Sequence, residues 1–551
     1  MNAFLMRHGL SLLLISIFSV FGTQKLFTPQ FNTSHDGEGH VIRMEEFHES
    51  LTDGQFPVRI AKRINYGLGY PFFTFNYPLV YYLAEGFHLS GLSVVDSFKA
   101  LMILSIVVSG IGMYAFALLF FNKTASVFSS LLYIIAPYRF LNMYVRGNVA
   151  EQWGLALIPI ALYTTEYSIR NKKSSVVPLG IILSLVILSH NITALISMTL
   201  IIFYMIARKG LSKRLALSVL FAILLTSFFW IPVAVEAPLT KLSELSFDYR
   251  DFFPTIREVL YSPWGFGPWK SGSFPGKMSP QIGMVHLLTG LIAVVLLLAK
   301  TARGNTMKLP DSVTAIFFAF VLLSLFLALP VSKFLWENAP FLSSVQIPWR
   351  FVGYITLGLS ISGGYVMHTI NRKWMKYGSF AALTVLLIYA NRNHIRVNQY
   401  ITYQSPFENQ EVIAMSTTSK DEHMPKNAPR IFEKPNLEGD IIPSEAGTAQ
   451  RTVWRSNYHQ FQLDLETSAE FRDNTSYYPG WKALVDGTST TIRPDEDEFY
   501  RLRITVPEGN HTVEFFLTEP WYRKLANAIS IGSLLSIGGR ALWKKRSLYS
   551  S

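Results

Sequence analysis

The chain has 551 residues, half of them hydrophobic, a mean hydropathy of +0.26 and only 16 % charged residues, which describes a polytopic α-helical membrane protein and excludes an ordinary soluble enzyme. Its net charge is +12, which basic cytoplasmic loops account for without nucleic acid. There is no cysteine, so disulfides, thiolate nucleophiles and cysteine metal sites are excluded.

The first apolar run covers residues 9–27. Residues 10–21 behind Arg7 have the length of a signal-peptide core, but no small-x-small cleavage site follows, so the run is read as a first span. Further runs fall at 98–121, 124–141, 153–169, 176–207, 215–233, 281–299, 312–330, 349–370, 377–390 and 523–541. The run 176–207 would reach roughly 48 Å as one helix, against a hydrocarbon core of about 30 Å. Ser189-His190-Asn191 interrupts it, so it is read as two short spans, for about 12 transmembrane helices in total.

Basic residues set the expected orientation. Asn122-Lys123, Arg170 to Lys173, Arg208 to Arg214, Lys300 to Lys308, Asn371 to Lys376 and the tail Lys544-Lys545-Arg546 all belong in the cytoplasm, with both termini. The assignment closes only if 71–90 does not cross; with Pro71, Asn76 and Pro78 it reads as an interfacial or re-entrant piece of the first outer loop. Residues 1–391 then form a transmembrane domain whose first outer loop is 28–97. Polar features gather on the outer side: Asp36 to Tyr77, Arg139 to Glu151, His190-Asn191, Glu236 with the 237–280 loop, and Gln346 to Arg350.

From about 392 the composition turns polar. Phe461/Leu463/Leu465, Trp481 to Val485, Leu502/Ile504/Val506 and Val513/Phe515/Leu517 alternate with period two, between turns at Pro479-Gly480, Asp486-Gly487 and Glu508-Gly509-Asn510. That pattern predicts an extracytoplasmic antiparallel β-sandwich within 392–520, with 405–450 irregular. Residues 521–551 supply a last span and a basic tail.

The first loop concentrates titratable residues. Asp36 follows the outer end of span one, where a desolvated carboxylate can take a proton from a hydroxyl. With His35, Glu38 and His40 it could also hold a divalent cation such as Mg or Mn, or lie in a plain solvated loop. No cofactor is assigned. Arg59, Arg63, Arg146 and Arg350 sit on the outer side against the positive-inside bias. Guanidinium groups there suit a lipid phosphate or ion pairs, Arg146 with Glu151 being the obvious pair. His190-Asn191 marks a polar pocket or a helix cap. Trp349, after Pro348, suits an interfacial belt. The run Tyr70, Asn76, Tyr77 to Tyr82 can stack a sugar, cover an isoprenoid or anchor at the interface. The apolar runs carry almost no acid, Glu166 lying near an inner end, which argues against ion-coupled transport. No Walker A or Gly-rich nucleotide motif appears.

Three stretches carry a family resemblance: Ser34-His35-Asp36-Gly37-Glu38-Gly39-His40, the Gly54 to Arg59 run, and Gly67-Leu68-Gly69-Tyr70-Pro71-Phe72-Phe73-Thr74-Phe75-Asn76-Tyr77-Pro78. The chain resembles a prokaryotic membrane family catalogued as 6-pyruvoyl-tetrahydropterin-synthase-related, and through it the integral-membrane C-type (GT-C) glycosyltransferases. Tyr478 to Gly487 is similar to the C-terminal sandwich of membrane proteins thought to glycosylate lipoteichoic acid. The resemblance implies an inverting hexosyltransferase in the plasma membrane, part of the cell envelope machinery. It implies a polyprenyl-phosphate sugar donor and an exported glycan, lipid or protein acceptor. Asp36 would be the general base, His40 a loop-motif residue, and Glu38 the second acid. Arg59, Arg146, Glu151, His190 and Arg350 would be phosphate or pocket residues. A lipid or polysaccharide transporter and a non-catalytic envelope assembly protein are the alternatives.

Overall fold

The computed structural model describes residues 2–244, 248–270, 272, 276–402, 422–428, 441–495 and 499–549, with side chains from 6 to 536 within those ranges. Most of the stretch 405–450 therefore lies outside the described residues, as do the side chains of the basic tail. Two compact units emerge: Met1–Glu38 with Val95–Ala222 and Phe247–Thr402, and Gly39–Val94 with Ile223–Ser246 and Tyr403–Ser551.

The first unit is helical. Its centre is the helix Phe351–Thr369, buried at every position from Phe351 to Met367 and packed against Lys123–Ile134, Met284–Ala302 and Leu309–Ala328. Glycines and serines along it let backbones approach closely, as in helix pairs that associate within lipid. A Cβ on Gly364 would come within 1.9 Å of Ser129 Oγ and 3.2 Å of the Ala125 carbonyl. Two short antiparallel strands, β1 (Phe31–Asn32) and β2 (Tyr400–Ile401), tie the end of the first helical segment to residue 401.

The apolar runs all fall on helix, but the expected 12 spans are not matched. Among the described residues, four helices are long and apolar enough to cross a membrane: Met6–Leu26, Val94–Leu118, Met284–Ala302 and Leu309–Ala328. Two bent pairs raise this to six: Lys123–Ile134 with Pro137–Arg146, and Lys213–Leu225 with Ser227–Leu239. The run 124–141, read as one span, breaks because Pro137 holds Ala136 in extended backbone (φ −84°, ψ 142°). The run 176–207 divides as expected into Val177–Ser189 and Asn191–Ala207, with His190 extended between them. In the first loop, Leu79–Leu89 has 11 residues, about 16 Å of helix and half the hydrocarbon thickness.

The second unit contains two antiparallel sheets. Strands β3 (Ile441–Ile442), β4 (Gly447–Arg455), β5 (Tyr458–Leu465), β6 (Ala469–Ser476), β7 (Trp481–Val485), β8 (Thr488–Thr490), β9 (Arg493–Pro494), β10 (Arg501–Val506) and β11 (Gly509–Leu517) order as β3-β6-β10-β9 and β4-β5-β11-β7-β8. The alternating residues do what their period predicts. Phe461, Leu463, Leu465, Ala483, Val513 and Phe515 from one sheet meet Phe471, Leu502, Ile504 and Val506 from the other in one core. Burying each large side chain contributes about 1.5–3 kcal/mol. Asp486 (φ 49°) and Gly487 (φ 77°) make the left-handed two-residue turn between β7 and β8.

Buried polar ties complete this unit. Arg523, on the C-terminal helix Trp521–Tyr549, grips Glu236 through two hydrogen bonds of 2.5 and 2.7 Å, and the Tyr478 hydroxyl donates to the same carboxylate at 2.5 Å. Both Glu236 and Arg523 are fully buried.

Candidate functional site

The first unit gathers Asp36, Arg146, Glu151 and Arg350. After Pro137 the chain runs through Pro137–Phe140 into a π-helical turn, Leu141–Arg146, a local distortion often found at functional sites. Gly147 then reverses the backbone at φ +65° and Asn148 caps the helix Val149–Arg170, its Oδ1 accepting the Glu151 N–H at 2.8 Å. This turn is where the first loop docks. The Asp36 N–H donates to the Arg146 carbonyl at 2.7 Å and the His35 N–H to the Val145 carbonyl at 3.0 Å. The Asn148 amide reaches Asp36 Oδ2 at 3.4 Å. Asn148 thus touches both carboxylate-bearing residues. Docking needs a bare Cα at 147, since a Cβ there would lie 2.3 Å from Ser34 Oγ and 2.7 Å from the Gly37 nitrogen.

Glu151 is 2 % exposed and heavily engaged. Arg146 donates to its Oε2 at 2.6 Å, and the Tyr138 hydroxyl and Asn142 amide donate to its Oε1 at 2.6 and 3.1 Å. Arg350 Nε stands 3.5 Å from Glu151 Oε2, an ion pair without a hydrogen bond. Its Nη1 donates to the Val345 carbonyl at 2.8 Å. Two buried guanidinium groups therefore face the buried Glu151 carboxylate, with half-buried Asp36 within electrostatic reach of both as the second acid. Trp349 corrects the expectation of an interfacial belt. It is 1 % exposed, its ring lies 5.1 Å beneath the Arg146 guanidinium, and its Nε1 has no hydrogen-bond partner among the described residues.

His190 lies within electrostatic reach of Glu151 and Arg350. It, rather than Asn191, caps the helix Asn191–Ala207, its Nδ1 accepting the Thr193 N–H at 3.2 Å. Asn191 is exposed. Glu38 turns back on Ser34, accepting its N–H at 3.1 Å and its hydroxyl at 3.3 Å. Burial pushes the Glu38 carboxyl above the usual carboxylate range, and hydrogen bonds from backbone N–H groups and the Ser34 hydroxyl pull part of the way back. His35 Nε2 lies 2.6 Å from the Phe266 carbonyl.

The remaining expected residues belong to the second unit. His40 is 1 % exposed, with Nδ1 3.2 Å from the Tyr81 hydroxyl and its ring 6.2 Å from Tyr77. Tyr77 lies nearly parallel to Tyr81 at 6.3 Å. The buried Tyr70 hydroxyl accepts the His423 N–H at 3.3 Å, and the Asn76 amide donates to His423 Nε2 at 2.8 Å. Arg59, 2 % exposed, donates to the Phe228 carbonyl at 3.0 Å, to Glu519 and to Asn527, both at 3.4 Å. Arg63 pairs with Glu46 and, at 3.3 Å, with Glu45. Both arginines are thus committed to protein partners.

Among the described residues no three His, Asp or Glu side chains gather as a metal site. The loop acids and histidines do not fit a resident divalent cation as they stand. Residues outside the sequence expectation also enter the site: Tyr138, Asn142, Gly147 and Asn148. Their signal was local: Asn142, Gly147 and Asn148 lie within the polar Arg139 to Glu151 link, and Tyr138 immediately precedes it.

No family model matches the chain, and no curated protein matches it, so the family resemblance rests on the first-loop and sandwich motifs. Among solved structures the chain is similar to the Archaeoglobus fulgidus oligosaccharyltransferase in its apo form. That match has 14 % identity and a TM-score of 0.37, over 70 % of this chain and 55 % of that one. It is also similar to the archaeal oligosaccharyltransferase AglB from Archaeoglobus fulgidus in complex with an inhibitory peptide and a dolichol-phosphate, at 13 % identity and TM-score 0.39, over 70 % and 55 %. A third is the arabinofuranosyltransferase AftD from Mycobacteria, at 12 % identity and TM-score 0.40, over 71 % and 27 %. The chain thus spans about half the length of the first and about a quarter of the last.

Proposed function

We propose that this chain is a membrane glycosyltransferase of the C type, moving a sugar from a polyprenyl-phosphate donor to a hydroxyl of an exported glycan, lipid or protein. The observation that carries the reading is the attachment of Asp36 to the turn bearing Arg146, beside a buried cluster in which Arg146 and Arg350 face Glu151. A buried guanidinium nitrogen without a hydrogen-bond partner, as Arg350 Nε is, is costly unless an anion reaches it. A lipid phosphate at the membrane surface meets that need, and an arginine fork binds it bidentately. Arg350 is the better placed of the two. Its Nε makes no hydrogen bond, whereas Arg146 is held by Glu151 at 2.6 Å and Asn142 at 2.5 Å.

The reaction is a single in-line displacement. The acceptor oxygen forms a bond to the anomeric carbon while the bond from that carbon to the donor phosphate oxygen breaks. Asp36 takes the acceptor proton, the electron pair leaves on the phosphate, and the configuration inverts. Arg350, with Arg146 behind it, stabilises the charge that develops on the leaving phosphate. Glu151 holds both guanidinium groups in place, with Tyr138 and Asn142 fixing its own orientation. No step is routed through a metal. The outer face is the site's expected side, both termini lying in the cytoplasm with the basic links.

The test uses purified protein in liposomes, wild type beside Asp36→Asn, with labelled polyprenyl-phosphate hexoses and an envelope extract as acceptor. Removal of a general base should lower turnover about 10²–10⁴-fold while the variant stays folded. Equal turnover by both proteins would remove Asp36 as the base. Vectorial movement of intact lipid without release of the sugar would replace the reading with a transporter.

A further inference from the structure

The sandwich carries a polar cleft that the transfer reading does not use. Strand β10 pairs with β6 along its whole length, Arg501 to Val506, but with β9 only at Leu502↔Pro494 and Arg503↔Arg493. The chain reaches β9 from β8, which belongs to the other sheet, so residues 491–492 cross between sheets. Beside that crossing the edge of β10 is open at Ile504 and Thr505, and a cleft of about 160 Å³ forms.

Its walls are Glu470, Thr490, Thr491, Arg493, Arg503 and Thr505, with Ile504 as the one apolar contributor. The cleft has no aromatic ring to stack a base. Arg503 is shared between Glu470 at 3.2 Å and Asp495 at 3.6 Å, and its Nε has no hydrogen-bond partner. Arg493 is exposed and forms no ion pair among the described residues. The lining therefore offers one unneutralised guanidinium fork, three hydroxyls and one carboxylate. The fork suits a planar or tetrahedral oxyanion, and the hydroxyls with Glu470 suit vicinal hydroxyl groups. The two open positions of β10 are few for an added peptide strand, and the walls supply no apolar pockets for its side chains.

We propose that this cleft binds an oxyanion-bearing polyhydroxyl unit, such as a phosphorylated sugar or a uronic acid within a glycan. Arg493 holds the anion, and Thr490, Thr491, Thr505 and Glu470 hold the hydroxyls. The site stands independently of the transfer reading, because its readout is binding and its residues are remote in sequence from Asp36.

Ligand-observed NMR on the full chain in detergent micelles tests it, with glucose 6-phosphate, glucuronate and glucose as probes. Wild type should bind at least one anionic probe at least five-fold more tightly than glucose, and added salt should weaken that binding. The stronger of the two anions identifies phosphate or carboxylate as the source. Arg493→Ala should lower the affinity at least five-fold, and Arg493→Lys, which keeps the charge but loses the fork, should fall between. Thr505→Trp, which fills the cleft, should lower it as far as Arg493→Ala. Equal affinities for wild type, Arg493→Ala and Thr505→Trp, or glucose bound as tightly as both anions, would overturn the proposal. A thermal melt of each variant against wild type confirms that the sandwich is intact.

Discussion

Asp36 hangs from Arg146 by a main-chain hydrogen bond, N–H to carbonyl at 2.7 Å, so the position of one loop aspartate is set by the turn that carries a buried arginine. The bond uses no side chain of either residue. Asp36→Asn should therefore leave the loop in place and change only the chemistry, which makes it a clean probe of the proposed base.

Gly147 tests the docking itself. Alanine there must adopt φ +65°, at a cost of about 1–2 kcal/mol, and its Cβ would press on Ser34 and Gly37. Gly147→Ala should express and fold with a melting temperature a few degrees lower. Under the proposed function its turnover should fall at least about ten-fold, because the Asp36 loop is displaced. Unchanged turnover in the liposome assay would show that the loop need not dock on this turn.

Arg350 should be the arginine that matters for the donor. Arg350→Met should weaken binding of an unlabelled polyprenyl phosphate about 10- to 100-fold, the equivalent of about 1.5–3 kcal/mol for a charge-assisted hydrogen bond. The measurement is the upward shift in melting temperature on adding the lipid phosphate, which should shrink in the variant. Glu151→Ala should act differently. It leaves two buried guanidinium groups with only half-buried Asp36 as a carboxylate in reach and should cost about 3–5 kcal/mol of stability. A Glu151→Ala protein as stable as wild type would sink the view that Glu151 neutralises this cluster.

In the second unit, Arg523→Met alone should destabilise by about 3–5 kcal/mol, since the Glu236 carboxylate would stay buried without its cation, held by tyrosine hydroxyls alone. Replacing both, Glu236→Leu with Arg523→Met, should recover most of that loss. A double-mutant cycle in denaturant melts measures the coupling, and additivity of the two changes would refute it.

The sandwich should also show a modest pH signature. His511, on β11, and Asp486, on the β7–β8 turn, meet at 2.6 Å. The Asp486 carboxylate raises the His511 imidazole above its ordinary value of 6.5, and His511 lowers Asp486 below its ordinary 3.8. His511 thus contributes stability that is complete below about pH 6.5 and is lost as pH rises through its folded value. Asp486 contributes stability above its ordinary value that is lost as pH falls. Thermal melts of wild type and His511→Gln should differ most near pH 6 and converge toward pH 9. A constant difference across that range would mean that the pair is not charged.

How much of this was legible in the sequence depends on how local the interactions are. The sandwich strands read correctly because alternation and turn chemistry act over a few residues, as Phe461/Leu463/Leu465 and Asp486-Gly487 do. The Arg146–Glu151 pair read correctly because five residues separate its members. The partners of Arg59 were not legible, since Glu519 and Asn527 lie more than 400 residues away in the chain. Trp349 was misplaced because a tryptophan at the start of an apolar run looks the same whether lipid headgroups or Arg146 cover it. His40 matches a loop motif, but nothing in that motif shows that Tyr77 and Tyr81 enclose its ring. The helix count departed most, because several apolar runs form helices that are short, as Val177–Ser189 and Asn191–Ala207 are, and one is bent at Pro137.

The central helix Phe351–Thr369 has consequences for biogenesis. Its faces are closed by protein from Phe351 to Met367, and it is absent from the four helices apolar enough to cross a bilayer alone. Its glycines and serines favour neighbours over lipid. Its entry into the bilayer is therefore expected to be helped by the helices it packs on, Leu309–Ala328 being the nearest before it in the chain. A glycosylation-mapping assay in a host protein should find 351–369 crossing less often alone than when 309–328 precedes it. The element that carries Arg350 to the candidate site then depends on its neighbours, and a failure of those helices to insert would leave the site without the arginine proposed to bind the donor.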